Sequence, residues 1–219
     1  INNKCDVGLA FDGDGDRFFV IDDRGEFVPG DFLTALMASY ILERHPGGKI
    51  IYDVRCSWAV PNSIEAAGGE ALIERVGHAF IKPRMFEEGA IFAGELSGHY
   101  YFRDFFGADS GIVPSLILLE ILSRRGPLSQ QLAQFESNYF ISSEINSEVA
   151  DPQGKIAEIA ERYCNGHIEY LDGISVSFTD WHFNVRSSNT EPLLRLNLEG
   201  KSRDLMESKR DEVLRLIRS

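Results

Sequence analysis

Apolar and polar positions divide this chain into short strand-like runs and longer helical ones. Cys5 to Phe11 is apolar and includes β-branched Val7, and Phe18 to Ile21 is apolar and β-forming. Between Ile21 and Glu26 stands Asp22-Asp23-Arg24-Gly25, which is turn chemistry, so Glu26 to Val28 can fold back as a hairpin. Pro29-Gly30-Asp31 then opens a helix. Its apolar positions Phe32, Leu33, Leu36, Met37, Tyr40 and Ile41 recur with a helical period, and His45-Pro46-Gly47-Gly48 ends it. Strands are predicted over Lys49 to Val54, Ala71 to Val76, Ala90 to Ala93 and Tyr100 to Phe105. Helices are predicted from Pro61 to the Gly68-Gly69 pair, over Ile81 to Phe86, and from Asp109 to Leu122, closed by Arg124-Arg125-Gly126-Pro127. This alternation implies βαβ units and a mostly parallel sheet.

The pattern changes after about Asn138. Tyr139 to Ile145 reads as a strand and Pro152 to Cys164 as a helix. His167 to Tyr170, Ile174 to Phe178, Trp181 to Val185 and Leu193 to Leu198 read as strands, and Lys201 to Ile217 as a last helix. Strands bracketed by two helices make a small α+β unit. No internal repeat or low-complexity linker interrupts the chain.

Composition narrows the function classes. The 219 residues carry a formal net charge of −12, with 43% hydrophobic and 26% charged residues, as expected of a folded soluble protein. A broadly acidic chain is a poor nucleic-acid or membrane binder, although a local cluster can still hold a small anion. The most apolar stretch, Ile112 to Leu122, is too short to span a bilayer, and the N-terminus has no signal pattern. Cys5, Cys56 and Cys164 are odd in number, far apart and outside any C-x-x-C spacing, which fits a reduced, cytoplasmic protein. The chain starts at Ile1 with a strand-like run almost at once, and reads as a fragment or a clipped chain.

The strongest chemical signal is Asp12-Gly13-Asp14-Gly15-Asp16-Arg17, set between two β-type runs. Glycines let the backbone curl, so three alternating carboxylates converge on one point. Like charges held together are costly unless a cation sits among them, and hard oxygen donors in a compact loop suit Mg²⁺. Arg17 could offset that charge or hold a phosphate. An EF-hand would need Gly and Glu where Arg17 and Asp23 stand, and helices where the flanks read as strands. A solvated acidic turn is the bland alternative.

Two further loops follow predicted strands, where open α/β sheets bind ligands. Gly77-His78-Ala79-Phe80-Ile81-Lys82 spaces His78 and Lys82 four residues apart. In Gly94-Glu95-Leu96-Ser97-Gly98-His99, Glu95 and Ser97 alternate and can address adjacent sugar hydroxyls. His78 and His99 can donate to phosphate or move a proton. A fourth loop, Arg186-Ser187-Ser188-Asn189-Thr190-Glu191-Pro192, packs donors densely enough to nest an anion, with Arg186 supplying charge. A hydrophilic β-turn is the competing reading of that segment.

In this order, DGDGDR, GHAFIK, GELSGH and RSSNTEP resemble the motifs of the α-D-phosphohexomutase superfamily. The tail DGISVSFTDWHFNVRSSNTEP and the run HYYFRDFFGADSG are similar to its bacterial phosphomannomutase branch. The resemblance implies four domains around a cleft, of which this chain holds a part. Residues 1–27 would end the second α/β domain and carry the metal loop. Residues 28–138 would be the third α/β domain, with a mixed sheet and the sugar-recognition loop. Residues 139–219 would be the C-terminal α+β phosphate-binding domain. It implies Asp12, Asp14 and Asp16 as Mg²⁺ ligands. Arg17, His78, His99 and Arg55 would line the reacting centre. Glu95, Ser97 and Lys82 would bind sugar phosphate, and Arg186, Ser188, Asn189 and Thr190 would clamp the distant phosphate. The implied activity exchanges phosphoryl groups through a phosphoserine and a hexose 1,6-bisphosphate, converting mannose 6-phosphate and mannose 1-phosphate, or the glucose pair. The serine belongs to a Ser-His-Asn loop, and that string does not occur here. The expected partners are therefore a hexose phosphate and the N-terminal domains of the same protein. A non-catalytic sugar-phosphate-binding module is the alternative of another class. A Mg²⁺-dependent phosphatase fits less well, because its Asp nucleophile has no place among carboxylates all used as ligands.

Overall fold

A computed structural model describes residues 4–188 and 191–219. The chain divides into two units, Ile1–Glu136 and Ser137–Ser219.

The first unit begins with an antiparallel meander of β1 (Gly8–Phe11), β2 (Phe18–Ile21) and β3 (Phe27–Val28). The last β1–β2 pair is Phe11 with Phe18, so the six residues between them form a loop closed by the ladder itself. α1 (Gly30–Leu42) follows, and eleven of its thirteen residues are buried. It packs on α2 (Ala59–Ala66) and on a five-stranded sheet. That sheet has the order β5 (Glu70–Glu74), β4 (Lys49–Asp53), β6 (Phe92–Gly94), β7 (Tyr100–Phe102), β8 (Ala108–Asp109). β4 runs parallel to both β5 and β6, whereas β7 and β8 are antiparallel additions. The sheet is therefore mixed, and the mostly parallel one implied by the alternation is corrected. The Gly94–Tyr100 connection is too short for a crossover, so β7 turns straight back along β6.

Three other expectations change. α3 (His78–Glu88) is longer than the Ile81 to Phe86 helix, because Gly77 at φ +119° lets the chain turn directly into it and Pro83 is accommodated inside. The Tyr100 strand stops at Phe102, where a 3₁₀ turn (Arg103–Phe105) and left-handed Phe106 and Gly107 reverse the chain. After α4 (Ile112–Arg125) comes α5 (Leu128–Asn138), which the apolar pattern did not predict. Only Leu128, Leu132 and Phe135 mark its buried stripe, and its other residues are polar apart from exposed Ala133.

The second unit is an antiparallel sheet ordered β10 (Ile145–Glu148), β14 (Leu193–Gly200), β13 (Trp181–Ser187), β12 (Ile174–Ser177), β11 (His167–Glu169), with β9 (Phe140–Ile141) on the end of β14. The single strand expected over Tyr139 to Ile145 is thus two, separated at Ser143, whose φ is +58°. α6 (Pro152–Arg162) is capped by Asp151, whose Oδ1 accepts from Gly154 N at 3.0 Å. α7 (Arg203–Ile217) is capped by Ser202. Ile159, Met206, Val213 and Ile217 from the helices bury the Phe183, Val185, Leu194, Leu196 and Leu198 face of the sheet. The opposite side chains of β13 and β14 pair His182 with Glu199, Asn184 with Asn197, and Arg186 with Arg195. Among the described residues, no helix is long and apolar enough to cross a membrane.

Candidate active site

The β1–β2 loop brings ligand oxygens of Asp12, Asp14 and Asp16 within 4.8 Å of one another. Arg17 folds back on this loop, its Nε 2.5 Å from Asp12 Oδ2 and its N–H donating to Asp12 Oδ1 at 3.2 Å. Desolvation works against the Asp12 charge, but the hydrogen bonds and charge of Arg17 prevail and hold the carboxyl down to about 2. Asp16 Oδ1 is buried with no hydrogen-bond partner among the described residues. An orphaned carboxylate oxygen beside two more hard donors fits a divalent cation such as Mg²⁺.

Long-range backbone bonds fix the loop in place. Phe18 N donates to Gly98 O at 2.9 Å, and Arg17 bridges His99. Gly111 N donates to Gly15 O at 3.1 Å. A Cβ on Gly111 would lie 2.7 Å from Gly15 O, 2.8 Å from the Phe11 ring and 3.0 Å from Arg17 O. Gly111→Ala is therefore expected to destabilise the chain by about 1–3 kcal/mol through overpacking against backbone. Urea unfolding measures this, and a change within about 0.5 kcal/mol would mean that the loop yields freely.

The loop after β6 turns through Gly98, at φ +86°, with Glu95 N donating to His99 O at 2.9 Å. His99 Nε2 lies 3.6 Å from Asp16 Oδ2, while its Nδ1 is 3.0 Å from Ser97 Oγ and 3.4 Å from Glu95 Oε2. Ser97 thus meets the imidazole that stands over the acidic loop. Asp109 joins this group, its oxygen within 4.8 Å of ligand atoms of Asp16 and His99. Lys82 Nζ donates to Asp109 Oδ1 at 2.7 Å. Burial opposes the Asp109 charge, yet the Lys82 hydrogen bond keeps its carboxyl below the ordinary range. Lys82 stands in the GHAFIK motif, whereas the Asp109 that fixes it lies outside all four motif loops.

Glu95 is 2% exposed. Its Oε1 accepts from Gly77 N at 2.8 Å and its Oε2 from the Tyr101 hydroxyl at 2.7 Å. Burial, then the Glu95 charge, pushes the Tyr101 phenol well above its ordinary value, so it remains a donor. Glu95 therefore ties the start of α3 to β7, and any sugar hydroxyl would have to use its remaining lone pairs. Arg55 is also buried. Its Nε and Nη2 clasp Asp53 at 2.9 and 2.8 Å, and its Nη2 lies 4.0 Å from Glu95 Oε1. Asp53 Oδ2 also accepts from Leu96 N at 2.8 Å. His78, the first residue of α3, is exposed.

In the second unit Arg186 faces Arg195 across β13 and β14. Arg195 Nη2 lies 3.4 Å from Ser188 Oγ, and Ser188 N donates to Leu193 O at 2.8 Å. Asn189 and Thr190 lie outside the described residues. Arg195 lies outside the RSSNTEP loop. The alternation of Leu194, Arg195 and Leu196, which puts the arginine on the polar face, was the available signal.

Known proteins resemble both units. The family model for phosphoglucomutase/phosphomannomutase, alpha/beta/alpha domain III, matches residues 29–139, and that for the C-terminal domain of the same family matches residues 144–216. A phosphomannomutase of Salmonella montevideo is 44% identical over 223 residues, which covers 100% of this chain and 49% of that protein. The crystal structure of a phosphoglucomutase/phosphomannomutase family protein from Burkholderia thailandensis superposes with a TM-score of 0.83 at 33% identity, over 97% of this chain and 46% of that one. Aspergillus fumigatus N-acetylphosphoglucosamine mutase, solved with GlcNAc-6P and magnesium, shares the fold at a TM-score of 0.70 and 16% identity, over 96% of this chain and 52% of that one. The chain spans about half the length of the curated relatives it matches.

Proposed function

The chain belongs to the phosphoglucomutase/phosphomannomutase family, and on that premise we propose that it is the metal-, sugar- and phosphate-binding portion of a cytoplasmic phosphomannomutase. The intact protein interconverts mannose 6-phosphate and mannose 1-phosphate through a hexose 1,6-bisphosphate. The phosphoryl-carrying serine stands outside this sequence, in N-terminal domains of the same protein. The observation that carries the reading is the gathering of Asp12, Asp14, Asp16 and His99 by backbone bonds from Gly98 and Gly111.

Asp12, Asp14 and Asp16 would hold Mg²⁺, which when bound neutralises charge on a transferring phosphoryl group. Arg17 restrains Asp12 and carries a positive charge to the same point. His99, oriented at Nδ1 by Ser97, presents Nε2 toward Asp16 and can hold or release a proton there. Lys82, steadied by Asp109, offers an ammonium to a sugar phosphate. Glu95 and Arg55 act mainly by positioning these loops, and His78 is open to a ligand. Arg186, Ser188, Asn189 and Thr190, with Arg195, would bind the phosphate not undergoing transfer.

The test is turnover by the protein that includes the serine-bearing part. It should convert mannose 6-phosphate, and no reaction with the mannose substrate while glucose 1-phosphate turns over would replace the label with phosphoglucomutase. In the present chain, Arg186→Ala should weaken inorganic phosphate binding by about 10- to 100-fold, since a charge-assisted hydrogen bond contributes about 1.5–3 kcal/mol. Calorimetric titration reads this, and unchanged affinity would remove Arg186 from the clamp.

A further inference from the structure

We infer that Glu144 is a built-in counter-anion of the two-arginine clamp, one that weakens phosphate binding and so sets how readily the phosphate is released. The inference rests on the clamp reading above. Arg186 and Arg195 occupy directly opposed positions of β13 and β14. Such neighbours share a sheet face at close range, and like charges there repel. The other pairs along the same polar face have no such conflict: His182 meets Glu199 at 3.0 Å, and Asn184 is paired with Asn197.

Glu144 answers the conflict. It immediately precedes β10, whose Ile145 pairs with Leu196 and Asn146 with Arg195. Glu144 Oε1 lies 3.4 Å from Arg195 Nη1, and Oε2 lies 3.9 Å from Arg186 Nη2. Oε2 is also 3.5 Å from Asn197 Nδ2. One carboxylate thus spans both guanidiniums, each oxygen toward a different arginine. The distances are long for tight charge-assisted bonds, which run about 2.7–2.9 Å. At these distances the carboxylate offsets charge on both arginines at ion-pair range. Its side chain is 25% exposed, so a ligand arriving from solvent can displace it.

A phosphate dianion entering between the arginines meets this third anion at the same place. Its attraction to the arginines is offset in part by repulsion from Glu144, or by the loss of Glu144's own contacts if that side chain swings away. A clamp of two arginines alone would hold phosphate tightly. A clamp tempered by a carboxylate exchanges it faster, which suits a site that must let go of one phosphate group and take up another.

Glu144→Gln keeps the shape and removes the charge. In calorimetric titrations of inorganic phosphate and of mannose 1-phosphate into the chain, it is expected to tighten binding by about tenfold, with a steeper salt dependence. Glu144→Asp, which keeps the charge, should stay within about threefold of the parent and guards against a general packing effect. Glu144→Gln binding equal to or weaker than the parent would overturn the inference, since a carboxylate that only braces the arginines gives that result. Arg186→Ala run in parallel separates the two readings. Loss of phosphate binding there while Glu144→Gln fails to tighten it overturns the counter-anion alone. Unchanged binding in every variant overturns the clamp and the inference with it.

Discussion

Replacing Asp53 by Ala is expected to cost the chain about 3–5 kcal/mol, because it leaves the Arg55 guanidinium buried without its main counter-charge. Asp53 is 0% exposed and accepts four hydrogen bonds, from Arg55 N, Nε and Nη2 and from Leu96 N, all between 2.8 and 2.9 Å. Glu95 also approaches Arg55, with Nη2 to Oε1 at 4.0 Å, but its oxygens already serve Gly77 and Tyr101. Urea unfolding at neutral pH should show a lower midpoint with an unchanged slope. The pH dependence has a definite sign. Burial opposes the Asp53 charge, but the Arg55 charge and hydrogen bonds outweigh it, so the folded carboxyl titrates below its ordinary value. The unfolded chain then binds the proton more readily. The stabilisation is complete above about pH 4 and is lost as pH falls through the folded pKa, so variant and parent converge in acid. A loss under about 1 kcal/mol at neutral pH would show that Arg55 finds relief elsewhere.

Asp53 also shows where sequence reading stops. The family resemblance placed Arg55 at the reacting centre. Whether its guanidinium faces a ligand or a buried carboxylate depends on side-chain packing, which spacing does not encode. The same holds for Glu95. Its alternation with Ser97 suggested two groups pointing at one sugar, but Glu95 turns inward to Gly77 and Tyr101 while Ser97 meets His99. The acidic loop was legible because its chemistry is contiguous: glycines, carboxylates and Arg17 occupy six adjacent positions. The bonds that bring it to His99 and Gly111 join segments about 80 to 95 residues away, and no local pattern announces them. Among the elements, strands with β-branched or aromatic runs were legible, whereas α5 had only three apolar anchors in a polar segment.

Asp14→Asn should have the largest functional effect of any single change in the first unit, and the sign of its effect on stability should depend on the metal. Asp14 is exposed, so converting it to an amide removes no buried contact, and surface changes of this kind usually fall within about 0.5 kcal/mol. Without a divalent ion the three carboxylates only repel one another, and the variant should be as stable as the parent or slightly more so. With Mg²⁺ the order reverses. A ligand that binds only the folded state stabilises it by RT ln(1 + [L]/Kd), about 2.7 kcal/mol at a hundred times Kd. Removing one of three anionic donors should weaken the ion by at least about 100-fold, since even groups behind the ligands cost 10- to 100-fold when lost. Thermal unfolding of both proteins in chelator and in Mg²⁺ measures this: the parent gains melting temperature with the ion and Asp14→Asn does not. Calcium in place of magnesium should show the same contrast, because all three donors are hard oxygens. An Asp14→Asn protein that gains as much from Mg²⁺ as the parent would remove the acidic loop from the metal site, and a second ion site near Asp109 would have to be sought instead.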